Sequence, residues 1–181
     1  GRDIFIAPGV TQNEVKLEAP LVFVGYGIEI PGKYSDYDNI DVKGKVVVFL
    51  SGSPQGIDLP STLLAHFANP ASKMEIAAQK GAVGAIAAPG SQTASISTLS
   101  TTTASMNPEK TRAYGRSVAG NLKAFARIPF TTLQRFFFNS GKNLQQTLDK
   151  VKKGTPASFD LSGSLRLHYT STFTDVESYN V

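Results

Sequence analysis

Between Leu21 and Leu50 the chain reads LVFVGYGIEIPGKYSDYDNIDVKGKVVVFL, two apolar runs joined by an acidic, tyrosine-rich connection. The second run constrains the fold most. Val46 to Leu50 are five consecutive apolar residues following Gly44 and Lys45, without the alternation of a strand that keeps one face in water. Such a strand needs cover on both faces, which predicts a central position in a sheet. The first run, Leu21 to Ile28, is rich in Val, Phe and Tyr, carries Gly25 and Gly27 where backbone can approach closely, and is closed by Pro31 and Gly32. It predicts a second strand.

Downstream, Asn69 followed by Pro70 supplies an N-cap and a first-turn proline, and Lys80 with Gly81 closes the segment. Met74, Ala77 and Ala78 give this helix a narrow apolar stripe. AVGAIAAP, from Ala82 to Pro89, follows directly as a run of small and branched apolar residues that suits a buried strand under a helix. Strand 45–50, helix 70–80 and strand 82–88 together predict a βαβ unit with parallel strands.

From Gly90 to Asn121 the composition turns to Ser, Thr, Ala and Gly, including STLSTTTAS, with no sustained periodicity. A segment this long is either a functional lid or partly disordered. Leu122 to Phe130 places apolar residues on one parity, ending at Pro129, which predicts a strand near an edge. Two short helices follow in the reading. Leu133, Phe136 and Phe137 share the face of the first, and Leu144, Leu148 and Val151 that of the second, with Ser140 as its N-cap. Phe136, Phe137 and Phe138 read as core and flank packing. Phe159 to Phe173 alternates on one parity with Gly163 as a bulge or bend, a long antiparallel strand or bent pair.

At 181 residues the chain fits one domain, able to bury about two-thirds to three-quarters of its unfolded surface. Cysteine is absent, so no disulfide or thiolate metal site can form. The net charge of +4 comes from dispersed lysines and arginines, and the cluster Lys150, Lys152 and Lys153 complements a helix end rather than a nucleic acid. No apolar run approaches the roughly 20 residues of a membrane span. The first residue is Gly rather than Met, and the chain stops at SYNV without a turn signal, which reads as an excised piece.

Catalytic patterns do not assemble. The two histidines, His66 and His168, stand far apart in the sequence, too few for a zinc site of three or four protein ligands. His168 shares the polar parity of its strand with Arg166 and Thr170, an exposed cross-strand position. Asp36, Asp38, Asn39 and Asp41 invite a calcium reading, but the EF-hand pattern fails at Ile40, Asp41 and Val47. Short acidic side chains closing turns explain them instead. Pro54 stands at the nucleophile position of GSPQG, and no phosphate-cradling glycine motif occurs.

Taken together, LVFVGYGI, YSDYDNIDVKGKVVVFL, SKMEIAAQKGAVGAIAAP and the terminal SYNV resemble the protease-associated (PA) domain inserted in zinc aminopeptidases of the M28 family. The likeness runs from about Leu21 to Val181, and Lys73, Ala77, Gly81, Ala82 and Gly84 match its K-x-x-x-A-x-x-x-G-A-x-G helix-strand. It implies an α/β fold of the swivelling β/β/α type, a curved mixed sheet or open barrel flanked by helices. It divides the chain into a lead-in segment 1–20, a PA domain 21–178 containing the Ser/Thr-rich loop 90–121, and the start of a catalytic-domain strand at 179–181. It also implies a role without chemistry of its own. Zinc and its ligands would belong to the catalytic domain of a parent aminopeptidase, with no catalytic residue, metal or cofactor on this chain.

The implied partners are that catalytic domain and its peptide substrate, with no nucleic acid and no membrane span, in an extracytoplasmic (secreted or periplasmic) setting. Tyr34, Arg112, Tyr114 and Arg116 are the candidate peptide contacts, as aromatic walls and carboxylate partners. Two other readings compete. PA domains also resemble interaction modules that act apart from any peptidase. A free-standing hydrolase rests only on Ser, His and Asp being present somewhere in the chain.

Overall fold

The computed structural model describes residues 4–7, 14–92, 122–170 and 172. Its strands are β1 (Phe5–Ala7), β2 (Glu14–Phe23), β3 (Glu29–Ile30), β4 (Tyr34–Ser35), β5 (Val46–Leu50), β6 (Gly84–Ala88), β7 (Ala124–Arg127) and β8 (Phe159–Thr170). The helices among the described residues are α1 (Ser61–Ala68), α2 (Pro70–Gln79), α3 (Phe130–Asn139) and α4 (Leu144–Lys152). Six strands form one mixed sheet in the order β1-β7-β6-β5-β2-β8, and β3 pairs with β4 as a separate hairpin. The sheet curls into a half-barrel flanked by the helices, the mixed α/β architecture expected from the sequence.

β5 occupies the interior of the sheet, parallel to β2 on one side and to β6 on the other. Its five residues are all buried. Strand alternation sends Val46, Val48 and Leu50 into the larger core, with Phe23, Ile86, Leu133 and Phe137, while Val47 and Phe49 face a smaller one with Val22, Val24, Ala77 and Ala85. The apolar run is therefore the physical reason for a covered sheet. Strand β5, helix α2 and strand β6 form the expected parallel unit, and the Asn69 side chain accepts the Ala71 amide at 2.9 Å as N-cap.

Several boundaries differ from the sequence reading. β2 begins at Glu14, so the sheet takes in part of the 1–20 segment read as a lead-in, and β1 adds a strand earlier still. In β2, Val15, Leu17 and Ala19 are buried while Glu14, Lys16 and Glu18 face outward, a period-two pattern. The same strand stops at Phe23 rather than Ile28, because the chain turns at Gly25 and Gly27. Helix α1 precedes the Asn69 cap and was not foreseen. Ser140 does not cap α4: Asn143 does, accepting the Gln146 amide at 3.0 Å, while the Ser140 hydroxyl donates back to the Phe136 carbonyl at the end of α3. Positive φ at Gly141 separates the two helices, which leaves Ser140 on the earlier one.

β7 lies between β6 and β1, one place in from the edge its proline suggested. β8 is the long antiparallel strand expected, pairing with β2 from Glu14 opposite Thr170 to Phe23 opposite Phe159. The register slips between Pro20 and Val22, across from Gly163, whose φ of 108° marks the bulge. On the outer face of this ribbon Arg166 makes two bonds to the Glu18 carboxylate, at 2.9 and 3.1 Å, and His168 lies 2.9 Å from Glu14. His168 is thus the exposed cross-strand residue anticipated.

Candidate functional site

The buried polar residues Asp36 and Lys73 gather where β2 and β5 end, beneath the Gly25–Gly27 turn. This is the carboxyl end of the parallel strands, the side on which open α/β sheets place ligand sites. The turn folds back because Gly25 and Gly27 both take positive φ, 51° and 68°. A Cβ on Gly25 would stand 2.5 Å from Asp36 Oδ1, so the turn also needs glycine for space. The Gly25 carbonyl accepts the Leu50 amide at 2.8 Å, which ties the turn to β5.

Asp36 sits under this turn at 1% exposure. Its carboxylate accepts the Tyr34 hydroxyl at 2.7 Å and the Ile28 amide at 3.2 Å, and its own amide donates to the Ile28 carbonyl at 3.0 Å. The Ser158 hydroxyl donates to the Asp36 carbonyl, joining the start of β8 to the cluster. Burial pushes the Asp36 carboxyl up to about 6, against the opposing pull of the Tyr34 hydroxyl, the Ile28 amide and the Lys73 charge. Burial and the neighbouring carboxylate raise the Tyr34 hydroxyl as well.

Lys73 approaches the same region from α2. It is fully buried, and its ammonium donates to the carbonyls of Leu50 at 2.7 Å and Gly52 at 2.5 Å, the last strand residue of β5 and the loop beyond it. The rings of Tyr26 and Phe49 flank it, with centroids 5.3 and 5.5 Å from Nζ. Burial pulls the Lys73 amine down to about 7, opposed by the charge of Asp36. The helix face explains the placement: Lys73 and Ala77, four apart, are the two buried residues of α2.

Chemically, this arrangement holds backbone in place. Asp36 organises the turn and the β3–β4 hairpin, and Lys73 donates to the carbonyls of Leu50 and Gly52 at and just beyond the end of β5. No buried side-chain nitrogen or oxygen among the described residues is left without a hydrogen-bond partner. The same residues contain no group of three or more His, Asp or Glu placed to hold a metal ion. None of the helices among them is long and apolar enough to cross a membrane.

Of the candidate peptide contacts, Tyr34 alone lies among the described residues. Tyr34 is 7% exposed, with its hydroxyl committed to Asp36, so it is a buried partner of that carboxylate rather than a wall open to a ligand. Arg112, Tyr114 and Arg116 lie outside the described residues. Asp41 does close a turn, accepting the Lys43 amide at 2.9 Å. Asp36, grouped with it in the sequence, is instead an interior residue that sequence reasoning missed, as it missed Lys73 as a buried cation. A lysine one turn before Ala77 on the helix's inner face was the available signal for Lys73. No family model and no curated protein sequence matches the chain.

Proposed function

We propose that the chain is a non-catalytic PA-type domain that stands beside the zinc cleft of an M28-type aminopeptidase, in an extracytoplasmic setting, and shapes the access of peptides to it. The observation that carries this reading is how the motif residues are spent. Gly25, Gly27, Asp36 and Lys73 act on one another and on the backbone of β5, building a stiff corner in place of a reactive centre. A rigid body of this kind can narrow an entrance, exclude water and orient a peptide terminus, effects that need no titratable catalyst.

The test is made in a parent peptidase carrying this domain. Removing residues 5–170, from the first strand of the sheet to the last, should leave hydrolysis of a small chromogenic amino-acid amide within a few-fold, while kcat/KM for longer peptides changes by at least tenfold. Equal effects on both substrates would remove the reason for assigning a gating role, and zinc-dependent peptide hydrolysis by this chain alone would refute the accessory reading. A second reading, an interaction module independent of any peptidase, draws on Phe138, which is 84% exposed on α3.

A further inference from the structure

Helices α1 and α2 meet the β3–β4 hairpin around a cleft of about 290 Å³ that the corner described above does not use. From α2, Glu75, on the side of the helix opposite Lys73 and Ala77, and the half-buried Ile76, on its flank, line the cleft. α1 contributes His66 and Phe67, whose rings meet edge to face at 5.2 Å, and the hairpin contributes Glu29 and Pro31. None of the residues of α1 is buried, although its sequence, STLLAHFA, is largely apolar. The helix therefore leaves apolar surface beside the cleft, while the half-buried Phe67 packs against the larger core.

Two carboxylates, Glu29 and Glu75, line the cleft on a chain that carries +4 overall. Glu29 holds Lys80 through Oε1 at 2.6 Å. Glu75, exposed on α2, has no ion-pair partner among the described residues. Phe67, Ile76 and Pro31 provide an apolar lining between these carboxylates. A ligand that satisfies both properties has an apolar stem and a cationic head, as a long basic side chain does. The volume lies just below the roughly 300 Å³ at which drug-sized pockets begin, so one side chain fits it better than a large ligand.

We propose that this cleft binds an arginine side chain presented by a partner peptide, the alkyl stem lying against Phe67 and Ile76 and the guanidinium meeting Glu75 and the remaining oxygen of Glu29. Arginine is the fitting cation because its five donors can serve carboxylates from two different elements at once. The site is independent of any association with a peptidase.

The experiment is an NMR titration of this chain with a capped tripeptide Ala-Arg-Ala, beside the same peptide carrying citrulline, which keeps the shape and loses the charge. Saturable shifts at Phe67, Glu75 and Ile76 with the arginine peptide, weakened at least fivefold by Glu75→Gln and by citrulline, are expected. Glu75 is exposed, so an unchanged melting temperature will show that the variant is folded. Equal binding of both peptides, binding unaffected by Glu75→Gln, or no shifts at these residues at millimolar peptide would each overturn the proposal. Preferential shifts with an acidic peptide would overturn it too.

Discussion

The Lys73 ammonium donates to the Leu50 carbonyl at 2.7 Å from a fully buried position, so a cation from α2 is fixed against the end of the central strand. Its electrostatic counterpart is Asp36, also buried, and burial shifts the two groups toward each other in pH. The Asp36 carboxyl rises from 3.8 to about 6 and the Lys73 amine falls from 10.5 to about 7. Both shifts disfavour the charged forms in the folded chain.

The sign of the pH dependence follows. Between pH 4 and 6 the folded chain keeps the Asp36 proton that the unfolded chain has released, so stability falls as pH rises. Between pH 7 and 10 the unfolded chain holds the Lys73 proton that the folded chain has lost, so stability rises with pH. The limiting slope is about 1.4 kcal/mol per pH unit for one proton. The pair therefore contributes least between pH 6 and 7. Urea denaturation of the wild type and Lys73→Met at pH 6.5, 8 and 9.5 should show an alkaline rise present in the first and missing in the second. Parallel profiles for the two proteins would mean that Lys73 does not titrate in this range.

The costs of removing the two partners should not add. Lys73→Met leaves two carbonyls without their donor and deprives Asp36 of its opposing charge, for a loss of about 3 kcal/mol at pH 6.5. Asp36→Asn should cost a similar amount by weakening the bonds to Tyr34 and Ile28. The double variant should be more stable than the sum of the two losses by about 1 kcal/mol or more. Simple additivity in a denaturation cycle would show that the two groups act separately.

The elements legible in the sequence are those whose pattern is local. The uninterrupted Val46–Leu50 run announced a strand covered on both faces, and Asn69-Pro70 announced the start of α2. The lower half of β2 was legible in principle, since Val15, Leu17 and Ala19 alternate with charged residues, but the stronger apolar signal of Leu21 to Ile28 drew the boundary. Asp36 was not legible. Its carboxylate lies against the turn at Gly25, its backbone carbonyl is held by the distant Ser158, and nothing in the local sequence distinguishes it from Asp41, which does close a turn. The corner around Lys73 likewise depends on tertiary contacts that periodicity does not encode.

Adjacent phenylalanines in α3 have opposite fates, which gives a direct test of the packing. Phe137 is 1% exposed and meets Phe23 and Phe159 edge-on, at centroid distances of 5.0 and 5.3 Å, whereas Phe138 points away from the core. Phe137→Ala should cost about 3–5 kcal/mol through lost burial and the cavity left behind. Phe138→Ser should change stability by no more than about 0.5 kcal/mol. Comparable losses in thermal or urea unfolding would contradict the facing of α3.

Gly25→Ala tests the turn on which the corner depends. At φ 51° an alanine is strained by about 1–2 kcal/mol, and its Cβ would meet Asp36 Oδ1 at 2.5 Å. Asp36 cannot retreat freely, because Tyr34 and Ile28 hold the same carboxylate. The expected loss is therefore about 2–4 kcal/mol, above the strain alone. Adding Asp36→Ala removes the clashing oxygens while leaving the backbone strain, so Gly25→Ala should cost only about 1–2 kcal/mol in that background. An undiminished cost there would locate the whole penalty in the backbone and assign the carboxylate no part in selecting glycine at this position.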